Sequence, residues 1–61
     1  MKEYDIVKTL VEREGFEKGE RGIIVSFYPN NEACTLEILD KNNYPKGVAT
    51  YAIDEVELWN K

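Results

Sequence analysis

Along this chain, clusters of Gly, Pro, Asn and Asp separate short apolar segments of strand length. Turn chemistry recurs at Gly15 to Gly19, at Pro29-Asn30-Asn31, at Asp40-Lys41-Asn42-Asn43 and around Pro45 to Gly47. Between the first two of these lies Ile23-Ile24-Val25-Ser26-Phe27-Tyr28, dense in β-branched and aromatic side chains that fit a pleated, half-buried surface. After Pro29-Asn30-Asn31, Cys34-Thr35-Leu36-Glu37-Ile38 alternates with period two, which predicts Cys34, Leu36 and Ile38 on one buried face. These two strands should form a hairpin. A fourth strand is predicted over Val48 to Tyr51 and a last over Val56 to Trp59, with Val56 and Leu58 inward and one tight helical turn at Ile53-Asp54-Glu55 between them.

The first segment reads two ways. Ile6, Val7, Leu10 and Val11 fit one helix face, and the Lys and Glu content favours a helix. A small barrel, however, needs a first strand to close against the last one, so Tyr4 to Val11 is assigned as a strand. The expectation is an all-β domain over residues 1–61, a five-stranded barrel with one short helical turn before the last strand.

Length makes this a single domain of modest stability, because so short a chain buries only about 60% of the surface its unfolded form exposes. Its 43% hydrophobic and 33% charged residues place it among chains that fold, not among disordered ones. Core packing must hold it, since its one cysteine, Cys34, allows no internal disulfide and the absence of histidine removes the usual zinc constellations. Met1 to Asp5 does not read as a signal peptide, and no run approaches the roughly 20 apolar residues of a membrane span. With a free thiol, the cytoplasm is the expected compartment.

The same inventory argues against catalysis. Without histidine, acid–base work falls to carboxylates, lysines, tyrosines and one thiol. Ser26 is the only serine and has no triad partner, and Cys34 lies on an apolar strand face where a thiol behaves as a small hydrophobe. Among the closest acids, Asp54 reads as a cap of the helical turn and Glu57 as an outward residue between Val56 and Leu58. Gly19-x-x-Gly22 lacks the Lys-Ser or Lys-Thr of a phosphate loop and leads into a strand. No metal ligands or cofactor are predicted.

Asp5-Ile6-Val7, Lys18-Gly19-Glu20-Arg21-Gly22-Ile23-Ile24-Val25, Leu36-Glu37-Ile38-Leu39-Asp40 and Ala52-Ile53-Asp54-Glu55-Val56 together resemble a family of short bacterial proteins known only as a domain of unknown function. The resemblance spans nearly the whole chain and implies an SH3-like barrel. Its Gly-x-x-Gly-x-x-Val block is also similar to that of KOW-type ribosomal and transcription-factor modules. In that block Gly19 is expected to take a positive φ and Gly22 to let two backbones approach closely. The chain departs from the pattern at Arg21, where an apolar residue is expected, and in its short loop from Glu12 to Lys18. The resemblance implies a fold and no activity.

Partner chemistry is read from charge and aromatics. Twelve acids against eight bases leave a net charge of −4, which repels phosphate backbones and acidic lipid and steers towards basic protein surfaces. Of Tyr4, Tyr28, Tyr44, Tyr51 and Trp59, most should serve packing, with Tyr44 in a turn and Trp59 near the terminus the ones expected at the surface. The predicted contact set is therefore Tyr44, Trp59, Glu37, Asp40, Asp54, Glu55 and Glu57. It suits a non-catalytic module that binds a basic protein, as an immunity protein or antitoxin covers a bacterial toxin. The alternatives are a KOW-like nucleic-acid or ribosome-associated module, against which the charge argues, and a small homo-oligomer.

Overall fold

The computed structural model describes residues 1–59. They form one antiparallel sheet of five strands, β1 (Ile6–Thr9), β2 (Arg21–Phe27), β3 (Ala33–Leu39), β4 (Pro45–Ala52) and β5 (Val56–Leu58), in the order β4-β3-β2-β1-β5. The all-β, five-stranded architecture expected from the sequence is the one observed, and Ile53–Glu55 forms the expected helical turn, of 3-10 type, before β5. Among the described residues no ladder joins β4 to β5, so these strands are the two edges of the sheet.

Alternation decides which side chains meet. Val7 and Thr9 of β1, Ile24 of β2, Cys34, Leu36 and Ile38 of β3, Ala49 and Tyr51 of β4 and Val56 of β5 are all buried. All of these except Thr9 make up the main apolar cluster, so every strand supplies at least one residue to a single core. Among the described residues Thr9 is the one buried polar residue, and it is satisfied: its hydroxyl accepts from Glu20 N–H at 2.9 Å and donates to the Glu17 carbonyl at 3.3 Å.

The first segment is a strand, shorter than expected, because its backbone pairs on both sides, with β2 through Ile6, Val7 and Lys8 and with β5 through Val7, Lys8 and Thr9. The hairpin of β2 and β3 turns over a 3-10 turn at Pro29–Asn31, where Asn30 and Asn31 take positive φ values of 66° and 55° that asparagine tolerates. Gly19 has the expected positive φ, at 88°. At Gly22 the close approach is chiefly to a side chain, since an added Cβ would meet Leu36 Cδ1 at 3.2 Å and Cβ at 3.3 Å, with the Glu37 carbonyl at 3.4 Å.

Two expectations are corrected. Pro45 to Gly47 is not a turn but the start of β4, which proline can enter because the strand lies at an edge and loses no ladder bond there. Leu58 shares the inward alternation of Val56 yet is 52% exposed, because it lies at the end of a three-residue edge strand, past the core that covers Val56.

The loop from Leu10 to Glu20 folds back over the β4 edge. Arg13 and Phe16 exchange backbone hydrogen bonds of 3.0 and 2.9 Å around Glu14 and Gly15, both at positive φ, in a tight two-residue turn. That turn lays Phe16 against Gly47 and brings the Glu14 carboxylate to accept from Thr50 N–H at 3.4 Å. Lys46 pairs with Glu20 at 3.1 Å on the same edge. A proline, a capped N–H and an ion pair blunt the longest exposed edge against pairing with other strands.

Candidate functional site

Because inward residues alternate with outward ones, the solvent side of the sheet follows from the same register. One cross-strand row runs Ile6, Ile23, Glu37, Val48 over β1, β2, β3 and β4. Trp59, just past β5, extends it, held by donation of its backbone N–H to the Ile6 carbonyl at 2.8 Å. The neighbouring row pairs Glu57, Lys8 and Arg21 and continues to Leu39 and Pro45 across the irregularity that follows Ile38, where Leu39 is buried and not open to solvent. Lys8 and Glu57 form an ion pair at 3.3 Å. The Arg21 guanidinium lies 5.5 Å from the centre of the Trp59 ring and donates to the Asp40 carbonyl at 3.1 Å.

Three depressions adjoin at Trp59. One of about 340 Å³ is lined by Ile6, Arg21, Ile23, Leu39, Asn43 and Trp59. Another of about 330 Å³ shares Arg21, Leu39 and Trp59 and adds Glu20, Asp40 and Lys41 to its rim. A third of about 140 Å³ lies between Trp59, Leu58, Lys8 and Glu57. Ile6 and Val48 are exposed on this face at 43% and 58%, large fractions for β-branched aliphatic side chains standing in a sheet.

The expected contact residues divide. Trp59, Glu37 and Glu57 share the outward face. Asp40 borders it but its carboxylate is engaged, accepting from Asn42 N–H at 2.8 Å and Tyr44 N–H at 3.0 Å to hold the β3–β4 turn. Tyr44 is exposed in that turn, whose Asn43 lines the depression of about 340 Å³. Asp54 and Glu55 lie in the 3-10 turn and line none of these three depressions. Glu55 forms an ion pair with Arg13 and accepts from Ala52 N–H at 3.0 Å. That backbone hydrogen bond, reinforced by the guanidinium, holds its carboxyl below the ordinary glutamate range against the opposing effect of burial.

Packing does not claim most of the aromatics. Tyr51 is buried, but Tyr4, Tyr28 and Tyr44 are exposed and Trp59 is 38% exposed, since the core is filled by aliphatic side chains from the five strands. Sequence reasoning missed Arg21, Ile6, Ile23 and Val48 as surface neighbours. A signal was present: three consecutive apolar residues at Ile23, Ile24 and Val25 cannot all face the core of a strand, so one had to stand outward. Arg21, where the sequence reading expected an apolar residue, is the residue whose guanidinium lies over the Trp59 ring.

The buried groups have little chemistry open to them. Cys34 is fully buried and burial pushes its thiol pKa up, so it stays protonated and out of reach at neutral pH. Tyr51 is likewise raised by burial, with Arg13 opposing and Glu14, Glu20 and Glu55 adding to the rise. Among the described residues, no three carboxylates or thiols gather closely enough to hold a metal ion. None of the helices in the described residues is long and apolar enough to cross a membrane.

No protein-family model, curated protein or solved structure matches this chain.

Proposed function

We propose that this domain is a non-catalytic binding module that docks another protein on the outward face of its sheet, with Trp59 at the centre of the contact. The observation that carries this reading is the convergence of three depressions on a half-exposed tryptophan stacked by an arginine, beside the aliphatic row Ile6, Ile23 and Val48. Tryptophan and arginine are enriched at the energetic centres of protein interfaces, where aliphatic neighbours exclude water from them. The guarded β4 edge supports docking on a face over strand addition.

Net charge of −4 favours a basic partner. An antagonist that covers the cationic surface of a bacterial toxin is the concrete instance this balance suits, and a single reduced thiol suits the cytoplasm as its setting. Within the expected contact set, Trp59, Glu37 and Glu57 belong to the face, Tyr44 and Asp40 to its rim, and Asp54 and Glu55 to the loop architecture.

Trp59 is the only tryptophan, so its fluorescence reports on this face alone. The test isolates partners from cells of the protein's source, identifies them, and titrates the purified partner into the domain. Emission should move to shorter wavelength as the ring is covered, and Trp59→Ala should weaken binding by about 2 kcal/mol or more. Unchanged emission on binding, together with unchanged affinity of Trp59→Ala and Ile23→Asp, would place the interface elsewhere and end this reading.

A further inference from the structure

Resting on that docking face, we propose that Glu37 selects the partner: the occupant is a protein surface that places a lysine or arginine between apolar side chains. Glu37 stands between Ile23 and Val48 in the outward row, so its two cross-strand neighbours are both aliphatic. Among the described residues it makes no ion pair and no side-chain hydrogen bond. The two cations of the next row are already engaged, Lys8 by Glu57 at 3.3 Å and Arg21 by the Trp59 ring and the Asp40 carbonyl.

Covering the aliphatic row therefore also takes the Glu37 carboxylate out of water. A purely apolar partner leaves it desolvated and unpaired, which weakens binding steeply, whereas a lysine or arginine meets it with a charge-assisted hydrogen bond in surroundings that strengthen it. A second copy of this chain is the wrong occupant, because it brings its own uncompensated Glu37 and a net charge of −4 against −4. The row thus has two tasks on neighbouring residues: Ile6, Ile23, Val48 and Trp59 supply apolar area, and Glu37 rejects surfaces that lack a matched cation.

The test uses three synthetic amphipathic peptides that differ only at the centre of their leucine face, with Lys, Gln or Glu there. Each is titrated at low salt into the 15N-labelled domain while amide and indole resonances are followed. The Lys peptide should shift the amides of Ile6, Ile23, Glu37 and Val48 and the Trp59 indole, and bind on the order of tenfold tighter than the Gln peptide. The Glu peptide should bind weakest. Glu37→Lys should reverse the order and Glu37→Gln should flatten it; both are outward substitutions, with far-UV spectra and melting used to verify folding, and either alone decides the matter.

Equal affinity of all three peptides at this face overturns the role of Glu37 and leaves the docking reading standing. No response at this face from any peptide overturns both. So does a saturable response of the same resonances to an unstructured RNA oligonucleotide that the peptides do not match, or their dependence on the domain's own concentration.

Discussion

Gly47 offers the sharpest check on how the long loop is packed. It lies on the inward side of β4, opposite Ile38, and an added Cβ there would overlap the Phe16 ring at Cζ and approach its two Cε atoms at 3.2 and 3.4 Å. Replacing a strand glycine of ordinary conformation by alanine normally stabilises by about 0.5–1 kcal/mol, through the lost freedom of the unfolded chain. Overpacking at a well-filled site costs about 1–3 kcal/mol. The ring has little room to yield, because Phe16 is held by the reciprocal hydrogen bonds with Arg13, and the loop is tied down by the Arg13–Glu55 ion pair and by Glu14 at Thr50. Gly47→Ala should therefore destabilise by about 1–2 kcal/mol, the opposite sign to the intrinsic effect. In a Phe16→Leu background, which removes Cζ, the same substitution should become neutral or stabilising. Urea denaturation of the four proteins closes the cycle, with an expected coupling of about 1–3 kcal/mol and a melting shift of roughly 4–8 °C per kcal/mol. A stabilising Gly47→Ala in the wild-type background, or strict additivity, would refute the packing of Phe16 on Gly47.

Two further outcomes are expected. Tyr51 is 1% exposed, and its hydroxyl meets no protein partner among the described residues, so Tyr51→Phe should raise stability by about 1 kcal/mol in thermal melts; a comparable loss would reveal a hydrogen bond to that hydroxyl. Glu55 has its pKa lowered in the folded state, so its contribution is complete above the ordinary glutamate pKa and disappears as pH falls through the lowered value. Urea midpoints of the wild type and Glu55→Gln should accordingly differ near neutrality and converge in acid. A gap that stays constant over that range would contradict the assignment.

What the chain determines by itself is local. Period-two alternation put Cys34, Leu36 and Ile38 inward without reference to anything else, and the Pro-Asn-Asn cluster marked Pro29–Asn31 as the hairpin turn. Trp59 and Glu37 were legible as surface candidates for separate reasons, one by its position near the terminus and the other as an acid at a polar position of a period-two strand. Tertiary structure decided the rest. Ile6 to Thr9 is a strand because β2 and β5 bond to it on either side, which its own helix-compatible spacing does not reveal. Pro45 to Gly47 became strand because β3 offered a partner on one side only. The outward row that joins Trp59, Ile6, Ile23, Glu37 and Val48 depends on strand order and on registers that slip at the irregularity between Ile24 and Ser26. The Arg13–Glu55 pair spans 42 positions. Side-chain direction along a strand follows from covalent geometry, but which strands lie side by side, and in what register, is set by closing long loops over one shared core.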